Sequence, residues 1–414
     1  MLRLVQVVQG FSRVFWILWV GALINRLGGF VLPLLALYLT GERGLPVEQV
    51  GLIVALLGAG SLAAGPTGGF LADRFGRRRT LILGLVAGAL AMIHLAFART
   101  PAHLAVATFL LGLVGDLYRP AVSAAIADLV PPEDRVRAYG LLYWAINLGF
   151  AVAGLLGGVL AQRGWMLLFI GDAATTLVFA VVIWRNVPET RPAGTASDED
   201  RSTSPLEPLA HRPFVIFCAL TMVLAAVFHQ AFITLPIDLR AHGLQPATYG
   251  ALISINGVLI VVLQPFAARF FGRLPRHRVL AGAAAVIGLG FGLTGLVDGL
   301  WGYAGAIIVW TLGEIVMSGI GPALVADLAP EHQRGAYQGI YQASWGGAAL
   351  VAPVLGSLML GRFGAGALWA SCAAVGVLAG AGQLALGPVL PAALKFALPG
   401  AGAAPPARPP APPA

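Results

Sequence analysis

The chain contains apolar runs longer than any water-soluble core requires. From Val14 to Leu39 the only charged residue is Arg26. About 20 apolar residues in a helix cross the hydrocarbon layer of a bilayer, and runs of this kind recur along all 414 residues. Charged residues make up 11% of the chain, against about 25% in a typical soluble domain. These features exclude a soluble enzyme, a secreted disulfide scaffold and a disordered chain. The runs are too long for barrel strands and lack their alternation, so the spans are helical.

Hydropathy and loop punctuation give twelve spans: 14–39, 47–72, 79–98, 102–130, 137–162, 165–187, 213–239, 246–270, 278–297, 301–329, 335–361 and 364–390. Their orientation follows from loop arginines, which favour the cytoplasmic side. With the N-terminus inside, Arg43, Arg99, Arg163, Arg240 and Arg362 fall outside, and Arg26 and Arg119 fall within spans. The rest of the 26 basic residues lie on the inner side. Both termini are therefore expected in the cytoplasm. Residues up to Ser12 lack a signal-peptide pattern, so the first span is expected to remain in the mature protein.

A net charge of +8 could point to nucleic acid, but the basic residues are spread along loops rather than gathered on one face. No nucleic-acid partner is expected. Cys218 and Cys372 both sit in apolar runs and read as buried thiols. No Walker loop, dinucleotide fingerprint, HExxH or metal-ligand cluster occurs. The sequence therefore points to no enzyme, metal or cofactor.

The longest polar stretch, Pro188 to Pro213, divides six spans from six. The expected organisation is a six-helix bundle at 1–187, a cytoplasmic linker at 188–212, a second bundle at 213–390 and a disordered Pro/Ala-rich tail at 391–414. The two halves repeat at an offset of 199 residues. Pro66 matches Pro265, Ala127-Asp128-Leu129 matches Ala326-Asp327-Leu328, and Arg135 matches Arg334. Six spans per half give both halves the same orientation, as in parallel transporter repeats. The expected fold class is an all-α membrane protein of twelve transmembrane helices in two pseudo-symmetric six-helix bundles.

The turn after span 2 reads Gly69-Phe70-Leu71-Ala72-Asp73-Arg74-Phe75-Gly76-Arg77-Arg78-Arg79. This G-x-L-A-D-R-x-G-R-R-R pattern resembles the loop signature of the major facilitator superfamily. Together with twelve spans and a repeated half, the resemblance covers essentially the whole chain. It implies a cytoplasmic gate of Gly69, Asp73, Arg74, Gly76, Arg77 and Asp128 that latches the halves when the carrier opens outward. Gly69 and Gly76 permit close approach and a sharp turn, and Asp73 suits a neighbouring helix N-terminus. The matching loop has Gly272 in place of the acid, so that copy of the latch reads as degraded. The drug:proton antiporter branch carries Gly-Pro-x-x-Gly-Gly in span 5. Here Gly154 replaces the proline, and Thr108 stands at about the register of that branch's span 4 arginine.

Ionisable residues at mid-membrane depth are functional candidates. Arg26, Asp116, Arg119 and Glu314 lie on spans 1, 4 and 10, which line the cavity in the family. Desolvation disfavours a charged carboxylate and a neighbouring arginine favours it, so such a group can change protonation as its surroundings change. Glu314, with no arginine near it on its own helix, is the first candidate for proton coupling. Asp116 is the second, with a fixed pair to Arg119 as the alternative. Arg26, after Asn25, reads as an anion site or a structural ion pair. His229, Gln230, Tyr143, Asn147, Tyr341 and Gln342 are candidate lining residues, as are Tyr118, Trp144 and Trp345. Asp172 reads as a second titrating site or a hydrated acid, and Asp327 as structural.

These residues point to a proton-coupled secondary transporter in a bacterial inner membrane, working by alternating access and exporting amphipathic small molecules. Its expected partners are a small-molecule substrate, protons and the lipid bilayer, with the monomer as the working unit. Proton-driven uptake of a polar or anionic solute is the alternative within transport. A non-transporting membrane sensor or scaffold is the alternative outside it.

Overall fold

The computed structural model describes residues 10–191, 206–244, 246–271 and 274–389. The first nine residues, the core of the linker, the tail and Gly272 lie outside the described residues. So do the expectations about disorder in the linker and tail.

The chain is an all-helical membrane protein, with no strand among the described residues. Nine described helices are each long and apolar enough to cross a membrane, and spans 1, 5 and 11 complete twelve. The span limits hold to within three residues at most helix ends: span 2 is Val47–Phe75, span 3 Arg77–Phe97, span 6 Trp165–Asn186 and span 10 Leu300–Leu328. Several starts are fixed by local chemistry. Ser12 Oγ accepts from Phe15 N at 3.2 Å, and Thr100 Oγ1 accepts from His103 N at 3.2 Å with Pro101 in the first turn. Such caps satisfy amides that the helix leaves without partners. Spans 11 and 12 run on as Arg334–Leu386, turning at Gly364.

Three spans expected to be continuous are broken. Span 1 is Arg13–Leu27 and then Val31–Leu37, interrupted at Gly28-Gly29-Phe30. Gly28 abuts Thr175 of span 6 so closely that an added Cβ would lie 1.8 Å from Thr175 Oγ1. Span 4 is Pro101–Gly115 and then Tyr118–Leu129. Pro120 lacks the N–H that would bond the Asp116 carbonyl, and its ring crowds that carbonyl. Instead Arg119 N reaches Asp116 O at 3.1 Å. Span 7 is Arg212–Ile233 and then Leu235–Ala241, broken at Thr234 just before Pro236.

One buried apolar cluster runs through both bundles, from Phe15, Leu81 and Phe179 to Phe214, Trp310 and Trp369. In the second bundle, Phe291 stacks on Trp310 and Trp369 with centroids 5.1 and 6.3 Å apart. Outward faces stay apolar: Leu83 and Leu90 on span 3, and Val181 and Trp184 on span 6, are exposed. In water such faces would drive aggregation. Against lipid they match their surroundings.

Spans 2 and 11 bring the bundles into backbone contact. A Cβ at Gly339 would lie 2.3 Å from the Gly65 carbonyl oxygen, and one at Gly69 would lie 2.2 Å from that of Gly335. Small residues at such crossings let helices approach to van der Waals contact. Gly339→Val should therefore force the bundles apart on the face that bears the linker. A cysteine introduced at Ser318, on a background free of native cysteines, should then label several-fold faster with an impermeant maleimide supplied from that face. Unchanged labelling would contradict the close contact.

Candidate functional site: a charged cavity between the bundles

A cavity of ≈ 350 Å³ lies between the bundles, lined from spans 1, 4, 5, 7, 9, 10 and 11. Leu142, Ile146, Leu224, Phe228, Met317 and Trp345 form much of its apolar wall, and Arg26, Tyr118, Arg119, Tyr143, Glu314, Tyr341 and Gln342 supply polar points. Tyr341 is held by stacking on Phe217, with centroids 5.9 Å apart. Volume and lining suit a drug-sized ligand with an apolar body.

Glu314 is 5% exposed and both its oxygens are occupied. Oε1 accepts from the Tyr143 hydroxyl, which comes from span 5 of the other bundle. Oε2 accepts from Asn256 Nδ2 of span 8 at 2.6 Å. The same amide also donates to Thr311 Oγ1 at 3.0 Å. No ion pair to Glu314 occurs among the described residues. Asn256 was absent from the sequence expectations, although an amide inside the run Leu252-Ile-Ser-Ile-Asn256-Gly-Val was the available signal. Removing it leaves a buried carboxylate oxygen without a donor, at a cost of about 1–3 kcal/mol. Asn256→Ala should lower the melting temperature of the purified protein by several degrees. A Tm within one degree of wild type would contradict the bond.

The first bundle carries a second polar cluster at the breaks in spans 1 and 4. Arg119 Nε lies 2.8 Å from Asp116 Oδ1, and both side chains are partly exposed. Tyr118 OH donates to Asn25 Oδ1 at 3.2 Å and accepts from Arg26 Nη2 at 3.5 Å. Arg26 has no carboxylate within ion-pair reach among the described residues, and its buried Nε has no partner. A smaller cavity of ≈ 90 Å³ adjoins this cluster, lined by Asn25, Arg26, Asp116, Tyr118, Arg119 and Asp172 among others. Arg26, Tyr118 and Arg119 border both cavities. Asp172, 6% exposed, accepts from Val31 N at 3.3 Å, where span 1 resumes. It is a buried group and not a hydrated surface acid.

Four expected lining residues lie elsewhere. Gln230 donates to Ala352 O at 3.2 Å and accepts from Thr234 Oγ1 at 3.0 Å, tying span 7 to span 11. His229 sits beside Phe228, outside the cavity lining. Asn147 turns back onto its own helix, donating to Tyr143 O at 3.0 Å. Trp144 donates to Val261 O at 2.6 Å and stacks on Trp19. Polar type and depth placed these residues on the right helices but could not give the face, which packing decides.

Toward the linker face, two matching charge clusters join the bundles. Asp128 accepts from Arg77 Nε at 2.9 Å and from Arg334 Nη1 of the other bundle at 2.7 Å. Asp327 is bound by Arg276 of its own bundle and by Arg135 of the other. Every position is shifted by 199, so each bundle lends its arginine to the other's aspartate. Asp73 accepts from Arg77 Nη1 at 2.9 Å and from Gly335 N and Ala336 N at 2.9 and 2.7 Å. It thereby caps the first turn of span 11, where the helix dipole favours an anion. Gly76, at φ 99°, makes the turn that presents Arg77. Arg74 stands apart from the cluster, its guanidinium 5.7 Å from the Phe70 ring centroid. The second copy lacks the counterpart of Asp73, since Gly272 stands there, but its Arg276–Asp327–Arg135 group is complete. The repeat relates Asp128 to Asp327 and Arg135 to Arg334, and at the same offset Arg77 matches Arg276. Among the described residues, the ion pairs that join the bundles all lie at this face.

The chain matches the family model described as Major Facilitator Superfamily over residues 18–237 and again over 230–411. It is 27% identical over 342 residues to the Na(+), Li(+), K(+)/H(+) antiporter of Planococcus maritimus, covering 74% of this chain and 80% of that protein. It is 26% identical over 316 residues to Multidrug resistance protein MdtH of Salmonella paratyphi B, covering 76% and 78%. Among solved structures, a bacterial homologue of the iron transporter ferroportin in an outward-facing state superposes with a TM-score of 0.74. It shares 18% identity and covers 91% of this chain and 100% of that one.

Proposed function

Because the chain belongs to the major facilitator superfamily, whose members here are transporters and not enzymes, we propose that it is a proton-coupled exporter of amphipathic small molecules. It works as a monomer by alternating access in the cytoplasmic membrane of a bacterium, with both termini and the linker inside. The observation that carries this reading is the Glu314 carboxylate on the cavity wall, held by one donor from each bundle.

In this reading, closure of the linker face by Asp128 and Asp327 holds the carrier open to the outside. Glu314 then takes a proton from outside. Hydrogen bonds to a charged acceptor are roughly twice as strong as neutral ones, so protonation weakens the Tyr143 link between spans 5 and 10. The bundles rock, the latch opens, and Glu314 meets cytoplasmic water and releases the proton. Substrate entering the emptied cavity returns the carrier to the outward state. The apolar wall suits an amphipathic body, and the similarity to multidrug and cation/proton antiporters supports exchange against protons.

Tyr143→Phe tests the coupling step in isolation. It removes the donor from the first bundle and leaves the cavity shape intact. Proton-driven transport in proteoliposomes should fall roughly tenfold, in line with the loss of a charge-assisted bond of about 1.5–3 kcal/mol, while probe binding changes less than twofold. Wild-type proton-driven rates in this variant would contradict the mechanism.

A further inference from the structure

The charge balance of the cavity wall leaves one group unsettled. Arg119 lies 2.8 Å from Asp116, and Glu314 has a donor on each oxygen. Arg26 donates one 3.5 Å hydrogen bond, to Tyr118 OH, and its buried Nε has no hydrogen-bond partner. An arginine at mid-membrane depth is costly without a partner. The remaining acid of the first bundle, Asp172, lines the smaller cavity with Arg26 but makes no ion pair with it, and it caps the resumed helix of span 1. Asp116, Asp172 and Arg26 all ride on the same bundle. Rocking of rigid bundles does not change the distances among them, and Glu314, the acid on the facing wall of the other bundle, already has a donor on each oxygen.

We propose that the cavity takes an amphipathic organic anion, with an oxyanion head held by Arg26 and an apolar body laid against Phe228, Met317 and Trp345. This names the substrate class of the transport site and rests on that reading. Tyr118 positions the guanidinium, and the planar fork of an arginine matches a carboxylate or sulfonate in a bidentate manner. The head lies on the wall of the first bundle and Glu314 on that of the second, so substrate and proton use separate groups.

The test uses the full-length protein in nanodiscs and three probes of matched size: 2-naphthoate, 2-naphthamide and a naphthylmethyl-trimethylammonium ion. The wild type should bind naphthoate at least tenfold more tightly than the amide, with the cation weakest. Arg26→Met should weaken naphthoate binding at least tenfold and amide binding less than twofold, and Arg26→Lys should keep most of the preference. Naphthoate binding no tighter than the amide in wild type would overturn the proposal, a result independent of whether any variant folds. An equal loss for all three probes in Arg26→Met would also overturn it, assigning Arg26 a structural part. If the anion preference is absent while a pH gradient still drives another dye, this inference falls and the transport reading stands. Arg26-dependent naphthoate binding with no proton-driven movement of any probe would keep the anion site and remove the transport reading.

Discussion

Glu314→Gln should leave a folded carrier that can no longer use a proton gradient. The substitution keeps side-chain volume and one carbonyl oxygen, so Asn256 and Tyr143 retain an acceptor between them, and the neighbouring packing is undisturbed. What disappears is the exchangeable charge. One pH unit corresponds to about 1.4 kcal/mol, or a tenfold ratio of concentrations per proton coupled. Wild-type proteoliposomes under a one-unit gradient should therefore concentrate substrate by up to about tenfold per proton. In the variant the ratio should fall to about one, because no coupled proton remains to convert the gradient into accumulation. Exchange of labelled for unlabelled substrate at equal pH should persist, which separates lost coupling from lost folding. Retained accumulation in the variant would remove Glu314 from the mechanism.

The second large effect belongs to the linker-face latch. Asp128 is buried between Arg77 and Arg334, and Asp327 between Arg276 and Arg135. Removing one member of a buried ion pair costs about 3–5 kcal/mol, because the charge left behind has no partner. Asp128→Asn takes this partner from two guanidinium groups, one from each bundle, leaving Arg77 on Asp73 and Arg334 with Glu331 at 3.6 Å. The penalty applies while this face is closed and is relieved when it opens and water reaches the arginines. The state balance should therefore shift by about two to three powers of ten toward the open form. Labelling of a cysteine at Ser318 from the linker side should rise accordingly. Combining Asp128→Asn with Asp327→Asn should shift the balance further, since both clusters act on the same transition. Labelling at the wild-type rate in the double variant would contradict a latching part for these residues.

Much of the fold was legible because lipid imposes a simple rule. Every span must satisfy its backbone internally over a fixed thickness, so length and hydropathy placed twelve helices. The charge clusters at the linker face were legible through the repeat, since Asp128 and Asp327, like Arg135 and Arg334, occupy equivalent positions. Their crossed pairing was not, because an offset tells which residues correspond and not which bundle each one reaches. The breaks in spans 1 and 4 had local signals in Gly28-Gly29 and Pro120, but hydropathy averages across such interruptions. At the cavity, scarcity of charge made Arg26, Asp116, Arg119 and Glu314 stand out. Asn256 did not, since an amide carries no charge to mark it, and its importance arises only where span 8 meets span 10. Gln230 and Asn147 mark the opposite limit. Each looked like a lining residue by type and depth, yet each spends its amide on a carbonyl of its own bundle.

The most direct test of proton-coupled export uses everted membrane vesicles whose lumen is acidified by respiration and followed with a quenched pH dye. Amphipathic probes of either charge are added from outside, on the side that faces the cytoplasm in the cell. Vesicles containing the wild-type protein should release dye fluorescence as lumenal protons leave in exchange for entering probe, and should accumulate that probe. Vesicles lacking the protein, or carrying Glu314→Gln, should do neither. Probe movement indifferent to the gradient, or gradient-driven accumulation confined to right-side-out vesicles, would contradict a proton-driven exporter.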